Sequence, residues 1–115
     1  MNQKIITVPK DQEAEKALDI DTATPDQLIE IKLGEKTFQD LWQQGIFTLI
    51  NNVASSNIDD FEDERITDED AIKNVIAVLK TKEESVDGEL KSVISEIIDL
   101  FTEALNRKTG IYFYF

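Results

Sequence analysis

The chain has 115 residues, with 24 acidic side chains against 12 basic ones, no histidine, no cysteine and one methionine, at its first position, for a formal charge of −12. At this length roughly 60 to 70% of the unfolded chain's surface can be buried, enough for one modest core in a single small domain (residues 1–115) and too little for a large enzyme with a deep, separately walled cleft. The missing residue types remove the near-neutral imidazole, the thiolate nucleophile, the disulfide and Cys-ligated metal centres, while 41% apolar content fits a folded domain.

Residues 4–8 have weak strand character before Pro9. The stretch 10–26 is polar and poor in aromatics, so it reads as irregular, or as one short helix around residues 13–18. Ile29, Ile31 and Leu33 alternate with Glu30, Lys32 and Gly34, and this period of two predicts a half-buried strand; Thr24-Pro25-Asp26-Gln27 just before it would also serve as a helix start.

Phe38, Leu41, Trp42, Ile46, Leu49, Ile50 and Val53 fall at spacings of three, four and seven, predicting one amphipathic helix over residues 37–57 with Thr37 and Asp40 as a capping pair. Gly45 inside it costs about 1 kcal/mol relative to Ala, which close packing of another element would explain. A second helix is expected over residues 68–82, capped by Thr67, with Ile72, Val75, Ile76 and Leu79 inward and Asp68, Glu69 and Asp70 at the positive end of its dipole. A third covers residues 88–108, with an apolar stripe from Leu90 to Leu105 and Gly110 placed to end it. The short connection over residues 83–87 predicts an antiparallel helical hairpin. Ile111, Phe113 and Phe115 then alternate with Tyr112 and Tyr114 as a terminal strand, the first set inward, and an edge strand here would be able to pair with another chain. Together these elements predict an α+β domain of three amphipathic helices packed with a small sheet from the chain termini, with an all-α bundle as the fallback.

Residues 59–70 hold eight carboxylates and one arginine, a net charge of −7 that leaves −5 for the other 103 residues. Four explanations compete for this concentration. The simplest is a solvated loop with a helix first turn. A calcium loop fits poorly: counting from Asp59 the third position is Phe61, and counting from Asp60 the sixth, where the turn needs glycine, is Arg65. A catalytic carboxylate pair, as in glycosidases, lacks a sugar platform, because the spacing of the single tryptophan, Trp42, makes it core. The fourth is a recognition surface for a basic protein, in which carboxylates mimic the spacing of phosphates and long-range attraction raises association rates by roughly 10 to 1,000-fold. Phe61 among these acids is either a hot-spot anchor or a plug folded back onto the core.

The sequence has neither the roughly 7 to 15 residue apolar run of a secretory signal nor the about 18 needed to span a bilayer, so a cytoplasmic protein is expected. Its charge is repelled by nucleic acid and by anionic lipid, and neither is expected to bind directly; the densest basic stretch, Arg107-Lys108, suits a helix C-terminus.

A short, acidic, cysteine-free chain with its charge focused over residues 59–70 resembles, as a class, the immunity proteins that bacteria make against their own secreted or contact-delivered toxins. The resemblance implies one-to-one neutralisation of a cognate toxin, often a nuclease, inside the producing cell. The expectation is a non-enzymatic inhibitor without cofactor or metal, binding a basic toxin or other nucleic-acid-acting protein through Asp59, Asp60, Phe61, Glu62, Asp63, Glu64, Asp68, Glu69 and Asp70. Neutralising Asp59, Asp60, Asp63 and Glu64 should then slow association and leave the fold intact. The competing expectation is a structural or regulatory interaction module, with a homodimer as one form, that uses the helices and terminal strand while the acids only solubilise.

Overall fold

The computed structural model describes residues 3–115 and is an α+β fold. Its elements run β1 (Lys4–Pro9), α1 (Gln12–Asp19), a 3₁₀ turn (Pro25–Gln27), β2 (Leu28–Leu33), α2 (Glu35–Gln43), α3 (Ile46–Ala54), β3 (Asp63–Ile66), α4 (Glu69–Glu83), α5 (Gly88–Arg107) and β4 (Ile111–Tyr114). The strands form one antiparallel sheet in the order β2-β1-β4-β3. The strands nearest the termini are therefore its two central members, and β4 is paired on both sides. This corrects the expectation of an exposed terminal edge: the edges are β2 and β3.

Alternation along the strands sorts the two faces. Ile6 stands opposite Ile31 and Phe113, and these, with Val8, Ile111 and Phe115, lie on the face covered by α2 to α5. Phe101 of α5 packs on Phe113 with ring centroids 6.2 Å apart, and Ile94, Ile97 and Ile98 carry the same helical stripe into the core. At one end of the sheet Phe38, Phe47 and Phe115 form a mutual cluster at 4.9 to 5.6 Å. Trp42, half-buried, packs at 5.1 Å on Phe47.

The opposite face carries two cross-strand rows, Lys32–Ile5–Tyr114–Asp63 and Glu30–Thr7–Tyr112–Arg65. Helix α1 lies over the second row: Tyr112 donates to Glu15 Oε2 at 3.0 Å, and both Tyr112 and Thr7 are buried. Asp11 caps α1 through the Ala14 amide at 2.7 Å, so the stretch expected to be irregular or a short helix contains an eight-residue helix. Thr24 and Gln27 form a reciprocal capping box on the 3₁₀ turn, which feeds directly into β2 instead of starting an α-helix.

Two boundary expectations are corrected. The helix expected over residues 37–57 is two helices, because Gly45 adopts φ +76° between α2 and α3. No atom lies within 4 Å of where its Cβ would be, so the glycine serves the left-handed turn and not close packing. Helix α2 begins after Gly34, two residues before the expected Thr37 cap. The long helices α4 and α5 form the expected hairpin, with Asp68 in place of Thr67 as the cap, accepting from the Ala71 amide at 2.8 Å. Lys108, at φ +57°, ends α5. Gly110 instead allows close approach, since a Cβ there would stand 2.7 Å from Thr67 Cγ2 and 3.1 Å from the Ile66 carbonyl oxygen.

Candidate protein-binding site

The acidic segment is split by structure. Four of its residues form β3, an element hidden in the sequence because Asp and Glu are poor strand formers. Strand β3 runs from Asp63, opposite Tyr114, to Ile66, opposite Ile111. At ~3.3 Å per residue it separates the two acidic groups by about 10 Å. Asp68, Glu69 and Asp70 therefore lie at the far end, where Asp68 is a cap and the other two occupy the first turn of α4. Asp59, Asp60, Phe61, Glu62 and Asp63 form a tip at the near end.

In the tip and the adjoining start of β3, two acids are committed to the fold. Asp60 pairs with Lys4, a buried cation that also donates to the Phe115 carbonyl at 3.0 Å. Glu64 accepts from the Asn57 amide at 2.7 Å and from the Arg65 amide at 2.9 Å. Asp59 accepts from the Asp60 amide at 2.8 Å, a local turn bond that leaves its side chain exposed. Glu62 and Asp63 are exposed and are in no ion pair among the described residues. Neutralising Asp60 or Glu64 would therefore disturb the fold, contrary to the expectation that all four carboxylates are dispensable to it. The informative set is Asp59, Glu62 and Asp63.

Asn51, near the end of α3, fixes the approach to this tip. Its Oδ1 accepts from the Ile58 amide at 2.7 Å and from the Ser56 hydroxyl at 2.8 Å, while its Nδ2 donates to the Ile58 carbonyl at 3.0 Å. Ile58 is buried as a result, and the following residues turn outward.

Phe61 is 76% exposed, which overturns the reading that it plugs the core. Its φ of +64° is the left-handed region, which costs an L residue about 1–2 kcal/mol. Two contacts hold it there: its amide donates to the Phe115 carbonyl at 3.0 Å, and Lys4 Nζ lies 4.8 Å from its ring centroid. The same ammonium is 4.8 Å from the Phe38 ring, so one buried cation links the core aromatic to the exposed one.

A second acidic segment, distant in sequence, meets the tip across the outer face of the sheet. Asp19, Asp21, Asp63, Arg65, Tyr112 and Tyr114 line an open groove of about 300 Å³, and Asp63 and Tyr114 continue into a neighbouring depression beside Phe61. Burial, then the charges of Asp63, Asp21, Asp19 and Glu30, pushes the Tyr114 phenol up to about 12. Arg65 reaches Asp19 at 3.5 Å and is the cation that lines the groove. Ile20, between Asp19 and Asp21, is 71% exposed. No protein-family model, no curated protein and no solved structure matches this chain.

Sequence reasoning singled out the tip and missed Asp19, Ile20, Asp21 and Tyr114 as its neighbours. Only the outward alternation of Tyr112 and Tyr114 hinted at an aromatic outer face. Among the described residues no group of three or more carboxylates is arranged to hold a metal ion.

Proposed function

We propose that this chain is an acidic inhibitor of the immunity type, which binds and neutralises a basic toxin, with a nuclease as the first target class. The reading is supported chiefly by Phe61, a large aromatic held in a costly backbone conformation, mostly exposed, with Asp59, Glu62 and Asp63 around it. Interfaces concentrate their energy in such an aromatic anchor inside a polar rim, and strain kept at an exposed position points to use at that position.

The chemistry is occlusion. Carboxylates presented on the tip and along the Tyr114 groove occupy positions that substrate phosphates would take against lysines and arginines of the partner. Their long-range field speeds encounter, and the aromatic slows departure. The acids Asp68, Glu69 and Asp70, at the far end of β3, extend the field without sharing the contact.

The test is a pull-down of the tagged chain from its native cells, washed at low and at high salt, with stoichiometry measured by mass spectrometry. The captured protein is then assayed for nuclease or toxin activity with and without this chain. The expected result is one basic partner, inhibited by the wild type and poorly by the triple variant Asp59→Asn, Glu62→Gln, Asp63→Asn, with association slowed and stability unchanged. Phe61→Gly should weaken binding through faster dissociation, while stability stays within about 1 kcal/mol because relief of the left-handed strain offsets the lost cation–π contact. A partner indifferent to all these substitutions overturns the reading.

A further inference from the structure

The two edges of the sheet are built differently. At the β3 edge, the carboxylate of Glu64 already takes the Arg65 amide, and acids flank the strand on its N-terminal side. Such an edge resists pairing. Strand β2 has six residues, and its one carboxylate, Glu30, accepts from the Thr7 hydroxyl at 3.1 Å instead of capping a β2 amide.

The phase of the ladder shows which groups β2 leaves open. The register with β1 is continuous from Lys4 opposite Leu33 to Pro9 opposite Leu28, and the next amide, Lys10, donates to the Gln27 carbonyl at 2.9 Å. Successive residues of an antiparallel strand turn their main-chain groups to opposite sides. Ile29, Ile31 and Leu33 thus bond to β1, whereas Leu28, Glu30 and Lys32 turn away from it. The Leu28 amide is taken by the Pro25 carbonyl. Those of Glu30 and Lys32 meet no other main-chain or side-chain group among the described residues.

We propose that the β2 edge is a docking surface for a second copy of this chain, paired antiparallel about a two-fold axis at Ile31. In this register Glu30 exchanges both main-chain hydrogen bonds with the partner's Lys32, and Lys32 does the same with the partner's Glu30. The side chains of these pairs, on the outer face, are of opposite charge and directly opposed. On the inner face Ile31 meets the partner's Ile31, and Ile29, half-buried in one copy, meets the partner's Leu33. The neighbouring registers that keep the bonding phase centre on Glu30 or on Lys32 and set like charges face to face. Charge pattern and hydrogen-bond phase therefore select one register. The axis lies at the opposite edge of the sheet from β3, so this surface is independent of the acidic tip and of the function proposed for it.

Sedimentation equilibrium over a concentration series, at fixed salt, reads the association constant. Lys32→Glu, at an exposed side chain, should lower it by at least roughly tenfold, because both pairs become repulsive. Glu30→Lys combined with Lys32→Glu restores opposite charges in the same register and should recover it. In the wild type, amide exchange at Glu30 and Lys32 should slow as concentration rises. A wild type that stays monomeric throughout, a dimer unaffected by Lys32→Glu, or a double variant no better than the single one overturns the proposal.

Discussion

Lys4 and Asp60, 56 residues apart, form an ion pair in which the cation is almost fully enclosed (4% exposed) and the carboxylate one-third exposed. The asymmetry decides what each loss costs. Asp60→Asn leaves the ammonium buried with the Phe115 carbonyl and two aromatic faces, and should destabilise by about 2–4 kcal/mol. Lys4→Met leaves a carboxylate that can turn to water, and should cost roughly half as much. Denaturant midpoints with unchanged slopes check the order, and the reverse order would show that the loop, not the cation, is the buried partner.

Asn51 is the polar hub that delivers the chain to the tip, and its three hydrogen bonds all go to residues 56–58. Asn51→Ala strands the amide and carbonyl of buried Ile58, which should cost about 1–3 kcal/mol. Faster amide exchange should appear at residues 56–61 before it appears in α4 or α5. Uniform exchange across the molecule would show instead that this loop opens only with the whole fold.

What the sequence made legible follows from periodicity. Strands β1, β2 and β4 and helices α4 and α5 bury a regular stripe, and their residues declared it. Strand β3 did not, because Asp63, Glu64 and Arg65 carry no strand pattern and are held by pairing to β4, a contact more than forty residues away in sequence. The break between α2 and α3 was hidden because apolar spacing runs straight through Gly45. The tip was visible as charge, but its division into structural and free acids depends on Lys4 and Asn57, and its meeting with Asp19 and Asp21 depends on how α1 crosses the sheet.

Gly45 gives a prediction whose sign separates the two readings of this region. In one continuous helix, Gly45→Ala would stabilise by about 1 kcal/mol. With φ at +76° the added Cβ meets no neighbour but forces an L residue into the left-handed region. The substitution should therefore destabilise by about 1–2 kcal/mol. Thermal or denaturant unfolding of this single variant reports the sign directly.

The outer-face tyrosines predict an alkaline limit to stability. Burial pushes both phenols up, Tyr112 further through the charge and hydrogen bond of Glu15, and Tyr114 to about 12 through Asp63, Asp21, Asp19 and Glu30. Below the ordinary value of 10.0 both states hold the proton and the contribution is complete. Between 10.0 and about 12 the unfolded chain releases protons that the folded chain keeps, so stability falls as pH rises. The check is the difference between wild type and Tyr114→Phe, whose alkaline limb should be flatter. Tyr112→Phe should flatten it too, while costing about 0.5–1.5 kcal/mol at neutral pH for the lost bond to Glu15. Tyrosinate absorbance in the folded protein should rise late, and titration of both phenols near 10.0 would show that α1 does not stay closed over this face.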